Sequence, residues 1–354
     1  MHFPRNFTKI TALFLVLVTA VLCLSGCSDK YTVNTSFAMG SVLTAKIFTD
    51  EEEKSAELFT RLNSAVQLAE NALSNTKEDA EIYNLNKDKY IYGSDYLRNV
   101  LMDTVMLCNI LNRKVDITIG KVTSLWGFNT ETPSLPSEEE IEKHIKNVSV
   151  EKILIGTENA KVTIEDDVEL DMGAVGKGAA CDAVYDELAY SYTPYIITLG
   201  GTVAAYMEGP DKGRWTVGIR DPFGTENDLF GTLSLSPLTP KNAVFVSTSG
   251  SYEKSFTEDG KTYHHILDTK TGYPVESELV SVTVVAHSGL NADALSTACF
   301  AEGLNENSLT WLSSFFAEAV FIFSDKTYYA TDGLKDSLKI TADGFTLNAY
   351  TNEN

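Results

Sequence analysis

Apolar residues recur at helical spacing between Glu51 and Leu73, with Leu58, Leu62, Val66 and Leu73 on one face, so this stretch predicts a long amphipathic helix. Its acidic start suits the positive end of a helix dipole. Further helices are expected over 81–86, 96–111, 291–299 and 305–316, and over 179–190, where Ala180, Val184 and Leu188 share a face. Ser137 and Glu140 have capping-box spacing ahead of a helix running through Lys146. Between the helices lie short β-rich runs: 42–48, around Ile153 and Val162, 168–170, 195–199, 214–220, 229–235, 280–286, 320–323, 327–330 and 338–342. Turn signals such as Gly209-Pro210 and Asp221-Pro222 separate them, and no segment repeats.

The first residues follow another pattern. Arg5 and Lys9 precede an apolar run from Ile10 to Leu24 that is short for a membrane span. It ends in Leu24-Ser25-Gly26-Cys27, similar to a bacterial lipoprotein signal, in which the cysteine is lipidated and becomes the first mature residue. The expected organisation is a signal peptide over 1–26, lipidated Cys27 with a polar tether over 27–36, and a folded domain over 37–345. Such a protein sits in the bacterial cell envelope, outside the cytoplasm. Multiple acyl chains hold it stably on the membrane where a single chain would not.

Charge narrows the partners. The chain has 28 basic and 49 acidic residues, a net charge of -21. Without Arg5 and Lys9 the balance is -23, which argues against nucleic acid as a ligand. Of the five cysteines, Cys23 and Cys27 belong to the leader; Cys108, Cys181 and Cys299 remain. An odd number without metal-like spacing does not make a disulfide framework, so they read as small buried hydrophobes.

Candidate chemistry gathers in a few stretches. Leu170-Asp171-Met172-Gly173-Ala174-Val175-Gly176-Lys177-Gly178 places three glycines and a lysine before a helix. Such a turn lets a backbone approach an anionic ligand, with Lys177 to meet a phosphate, or it is simply a tight turn. It lacks Walker A spacing. Val246-Ser247-Thr248-Ser249-Gly250-Ser251-Tyr252 offers hydroxyls for phosphate or for one another. His264 and His265 are adjacent, so in an extended chain at most one of them faces any one site. Asp293 and Thr297 lie four apart on a helix, as hard oxygen ligands for magnesium or as a helix cap with a buried threonine.

The order of these stretches resembles the ApbE family of FAD:protein FMN transferases. The likeness begins at Phe37-Ala38-Met39-Gly40-Ser41 and Leu73-Ser74, continues through Val115-Asp116-Ile117-Thr118 and Leu125-Trp126-Gly127-Phe128, and includes the glycine stretch and Leu199-Gly200-Gly201. It closes on His265-Ile266-Leu267-Asp268, Thr271-Gly272-Tyr273-Pro274 and Ala292-Asp293-Ala294-Leu295-Ser296-Thr297-Ala298, its most specific part. The resemblance implies an α+β fold of two intimately packed lobes with FAD in the cleft between them. It implies Mg2+-dependent transfer of FMN from FAD to a threonine of an acceptor flavoprotein, releasing AMP. Met39, Lys114, Val115, Asp116, Asp171, Lys177 and Leu267 are then expected to contact FAD. The Ala174 carbonyl, Asp293 and Thr297 are expected to hold magnesium, and His265 to handle the proton at the transferred phosphoryl group. Thr76 stands where many members carry a tyrosine that can pack on the flavin ring, which bears on the balance between transfer and hydrolysis. The other readings are an Mg2+-dependent FAD pyrophosphatase and a non-catalytic FAD-binding lipoprotein.

Overall fold

A nine-stranded sheet positions everything else. Its order is Thr32–Ala38, Ser41–Ile47, Tyr195–Leu199, Thr202–Tyr206, Ala243–Gly250, Leu279–Ala286, Glu318–Phe323, Thr327–Ala330 and Thr346–Leu347. Neighbours are antiparallel except for the last pair. The structure, a computed structural model, describes residues 30–350 apart from 240 and 349.

Both faces of the sheet are covered, which is why its inner strands read as nearly unbroken apolar runs. Along Ala243–Gly250 the pleat sends Phe245, Ser247 and Ser249 to one face and Val244 and Val246 to the other. The first face packs against the helices Glu52–Leu73, Gly176–Leu188 and Gly289–Glu302, whose buried residues include Leu62, Val184 and Leu295. The second face is closed by a small sheet of Trp215–Arg220, Leu229–Leu235 and Leu338–Ile340, which contributes Trp215, Ile219, Phe230 and Leu233. Mixed helices and strands of this kind make the fold α+β, as expected.

A smaller apolar core stands beside the main one. Trp126, from the short helix Gly120–Trp126, is fully buried with Val122, Ile141 and Leu267. Phe128, Tyr263 and Tyr273 surround its ring at centroid distances of 5.7, 5.4 and 5.8 Å. Its indole N–H donates to the Gly272 carbonyl at 2.8 Å. Ser137 and Glu140 form the expected capping box, which starts the helix Glu138–Ile145 that covers this core. Cys108, Cys181 and Cys299 are buried and unbridged, also as expected.

Several elements differ from the sequence reading. The stretch taken as tether through residue 36 is in part structured, because Thr32–Ala38 forms the edge strand of the large sheet. Its side chains are largely exposed on both faces, so it carries no alternating pattern to detect. Residues 168–170 are not a strand, since Glu169 makes only a single bridge, to Ile119. The helix expected from Ala179 begins at Gly176, because neighbouring chain supplies the caps that its glycines cannot. Gly120–Trp126 and Thr202–Tyr206 were not anticipated, being short and glycine-flanked. The signal peptide and Cys27 lie outside the described residues. Among those described, no helix is long and apolar enough to cross a membrane.

Replacing Trp126 by alanine removes the centre of the smaller core and strands the Gly272 carbonyl. The expected cost is on the order of 3–5 kcal/mol, read as a lower urea midpoint. A midpoint shift worth under about 1 kcal/mol would mean that the aromatic cluster is dispensable.

Candidate functional site

Two helix starts meet at the centre of the molecule. The helices Gly176–Leu188 and Gly289–Glu302 touch at Gly178 and Gly289. A Cβ on Gly178 would lie 2.0 Å from the Gly289 carbonyl oxygen, and one on Gly289 would lie 2.2 Å from that of Gly178. Each helix lends a carboxylate to the start of the other. Asp182 accepts from the Gly289 and Leu290 N–H groups at 2.9 and 2.8 Å. Asp293 Oδ2 accepts from the Gly178 N–H at 2.6 Å. Free amides at a helix start and anionic oxygens are natural partners. The sheet fixes Asp293 further, since its Oδ1 accepts from Thr202 Oγ1 at 2.7 Å and from Ser247 Oγ. Thr297 Oγ1 lies 3.0 Å from Ser249 Oγ.

A cavity of about 910 Å3 opens beside this crossing. Met39, Thr76, Lys114, Val115, Asp116, Asp171, Ala174, Lys177, His265, Leu267, Asp293 and Thr297 all line it. The structure thus brings together every expected site residue except Cys27, which lies outside the described region. Its wall takes apolar residues from both cores, including Leu73 and Met172 on one side and Ile119 and Phe128 on the other. Met39 and Gly40 form the two-residue turn between the first two strands, with φ of 52° and 68°, and the Met39 N–H donates to Glu70 Oε1 at 2.7 Å. Met39-Gly40 is therefore both a hairpin turn and a cavity wall.

The side chains are not equally available. Asp116 is buried, and its carboxylate accepts from Thr118 N at 3.0 Å, Thr118 Oγ1 at 2.5 Å and Val150 N at 3.2 Å. It shapes the wall as a structural anchor. Asp171 accepts from Thr123 Oγ1 at 2.7 Å and from Gly173 N at 2.8 Å. Lys114 pairs with Glu302 at 2.9 Å. Thr76 Oγ1 lies 3.3 Å from Ser74 Oγ. Lys177, in the first turn of its helix, has no hydrogen bond or ion pair among the described residues. The Gly176 N–H donates to Met172 O at 2.7 Å and the Gly178 N–H to Asp293, so the anion-facing feature is the lysine rather than a ring of open amides.

The adjacent histidines part at a strand end, His264 closing the strand Lys261–His264 and His265 lying in the bend after it. His264 Nε2 lies 3.1 Å from the Val275 carbonyl, against the edge of Phe300. His265 faces the cavity, and its backbone N–H donates to the Lys254 carbonyl at 3.0 Å. Burial, reinforced by Lys254, His264 and Lys177, pushes its pKa down to about 3, so the imidazole is neutral at physiological pH. Its buried Nδ1 has no partner among the described residues.

The donor set suits magnesium. Oδ1 of Asp293 receives two protein donors and Oδ2 one, which leaves Oδ2 an open acceptor position. Among the described residues no hydrogen bond reaches the Ala174 carbonyl, which precedes the helix start. One carboxylate, one hydroxyl and one carbonyl, with waters and substrate phosphate, are typical of Mg2+ rather than of an all-protein cage. Among the described residues no three His, Cys, Asp or Glu side chains group as metal ligands.

Two residues that sequence reading missed also face the cavity, Glu253 and Lys254. As an isolated acid–base pair after a hydroxyl run they look like ordinary surface charge. Only the fold places them beside His265.

The ApbE family model matches residues 39–321. The chain belongs to the ApbE family. Among its relatives is an FAD:protein FMN transferase of Klebsiella pneumoniae, 26% identical over 293 residues that cover 81% of this chain and 88% of that one. Another is that of Haemophilus influenzae, 27% identical over 296 residues, covering 80% and 82%. Of the solved structures, the ApbE protein from Thermotoga maritima superposes with a TM-score of 0.79 at 25% identity, over 87% of this chain and 99% of that one. The apo flavinyl transferase ApbE of Pseudomonas stutzeri shares the fold, with a TM-score of 0.74 at 24% identity over 89% and 98%.

The crossing of the helix starts has a pH signature. Burial raises the Asp182 pKa from 3.8 to about 6, outweighing Lys241 and the two amides that favour its ionised form. Because the folded value exceeds the unfolded one, the stability from this group is full below pH 3.8 and is lost as pH rises through about 6. The expected change is roughly 2–3 kcal/mol across that window, and Asp182→Asn should flatten it. Urea midpoints of both proteins from pH 4 to 7 check this. Parallel curves would show that Asp182 titrates alike folded and unfolded.

Proposed function

We propose that this protein is a membrane-anchored FAD:protein FMN transferase, which moves FMN from FAD to a threonine hydroxyl of an acceptor flavoprotein and releases AMP. The observation that carries the reading is the convergence of the expected site residues, drawn from separate parts of the chain, on one cavity. Family membership and the names of the relatives support it. The leader ending in Cys27 supports an extracytoplasmic enzyme held by lipid.

In this reading the threonine oxygen attacks the FMN-side phosphorus of FAD. A new P–O bond forms, the bond to the AMP oxygen breaks, and AMP leaves with the electron pair. Chemistry of this kind needs positioning and charge neutralisation more than covalent help. Asp293, Thr297 and the Ala174 carbonyl would hold Mg2+, which would supply charge neutralisation at the diphosphate. Lys177 contributes an ammonium that no protein carboxylate claims among the described residues. His265, neutral in the free enzyme, accepts the threonine proton. A bound diphosphate offsets the cations that depress it and so makes it a stronger base. Met39 and Leu267 add apolar wall, and Lys114, Val115, Asp116 and Asp171 shape and orient the rest. Thr76 leaves the flavin ring without an aromatic partner at that position.

One mixture tests the proposal: the protein, FAD, Mg2+ and a flavoprotein with a candidate threonine motif, followed by acceptor mass and nucleotide separation. The expected outcome is an acceptor heavier by one FMN less water, with one AMP per acceptor. Asp293→Asn should need a much higher Mg2+ concentration, because the size stays and the anionic ligand goes. Free FMN and AMP without acceptor labelling would make the protein a pyrophosphatase. FAD intact in the presence of Mg2+ would make it a binding protein only.

A further inference from the structure

Lys254 lies just ahead of the strand Ser255–Glu258 and lines the cavity. Its Nζ donates to Asn129 Oδ1 at 2.6 Å, a neutral acceptor that also lines the cavity. An ammonium has three donors, so two remain. Some other lysines close on carboxylates, Lys114 on Glu302 at 2.9 Å, Lys152 on Glu165 at 3.2 Å and Lys241 on Asp182 at 3.7 Å, whereas Lys77 and Lys89 meet only the neutral oxygens of Asn71 and Val168. Among the described residues Lys254, like Lys177, makes no ion pair within 4.0 Å. Two ammoniums without such partners beside one cavity repel each other until an anion sits between them.

Lys254 is an exposed residue, but its bond to Asn129 ties the ammonium to the cavity wall. Burial and the Lys177 charge lower the Lys254 pKa, against the opposing pull of Asp171 and Glu253. Lys254 is also built into the placement of His265, whose backbone N–H donates to the Lys254 carbonyl at 3.0 Å. After burial, its charge contributes most to the depression of that imidazole, ahead of His264 and Lys177.

We propose that Lys254 is a second diphosphate-binding cation, acting with Lys177 on the cavity wall beside His265. This rests on the FAD reading above and adds to it a residue. Asn129 holds the ammonium at the cavity wall. A diphosphate oxygen that bonds to it neutralises the charge that weakens His265.

The test compares Lys254→Met, which keeps the stem, with Lys254→Arg, which keeps the charge, in the full-length protein. FAD is titrated without Mg2+, with riboflavin as the phosphate-free control. The Met variant should bind FAD about ten- to a hundredfold more weakly, the loss of one charge-assisted hydrogen bond. It should bind riboflavin as the wild type does, and the Arg variant should stay close to wild type with both. An NMR titration of His265 gives the second readout. Inorganic pyrophosphate should raise its pKa in the wild type, whereas in the Met variant the free value should already be higher and move less. Unchanged FAD affinity in the Met variant, equal losses for FAD and riboflavin, or an unmoved His265 would each overturn the proposal. If the wild type transfers no FMN to any acceptor, the functional reading falls, but Lys254-dependent affinity for FAD and pyrophosphate still upholds the clamp.

Discussion

The structure depends on the exchange of carboxylates between two helix starts. Asp182 serves the amides of Gly289 and Leu290, and Asp293 serves that of Gly178. Both bonds need the helices to approach more closely than any side chain allows, and glycine at 178 and 289 permits it. One arrangement thereby settles several things. It buries Asp293 among donors that fix its direction, and starts a helix at Gly176 so that Lys177 lies on the cavity wall. The large sheet supplies the rest of the brace through Thr202, Ser247 and Ser249, which reach the same helices from the pleat.

Electrostatics then separates the site from the rest of the chain. The chain as a whole is strongly acidic, and several of its lysines are matched with carboxylates. The cavity is lined by Lys177, Lys254 and a neutral imidazole, and of its carboxylates those of Glu70, Asp116, Asp171 and Asp293 are held by protein donors while, among the described residues, Glu253 is not. Such a site favours a ligand that brings its own negative charge and an apolar ring. A dinucleotide with a diphosphate bridge has both.

Much of this was legible in the sequence, for definite reasons. Long helices with one apolar face, such as Glu52–Leu73, announce themselves by period. The glycine stretch and Asp293-to-Thr297 could be named because glycine and a helical spacing of four constrain geometry locally. What the sequence left open were pairings across the chain. It offered Asp293 as a metal ligand or as a cap of its own helix, whereas it caps the other helix and Ser288 caps its own. The hydroxyl run was open between phosphate and internal bonding, and Ser247 and Ser249 turn inward. Thr32–Ala38 was invisible because an edge strand exposed on both faces has no alternation. Lys254 was invisible because nothing in its neighbours distinguishes a cavity lysine from a surface one.

Gly178→Ala tests the helix exchange most directly. Considered as one helix in isolation, alanine should stabilise by about 1 kcal/mol. In the crossing its Cβ would lie 2.0 Å from backbone, so the two starts must separate. The measurement is Tm together with FAD affinity in Mg2+ for wild type and variant. The account predicts a loss of stability of about 1–3 kcal/mol or more, with FAD binding weakened even well below the new Tm, because Asp293 and Lys177 move with the helices. A variant with equal or higher Tm and unchanged FAD affinity would contradict it.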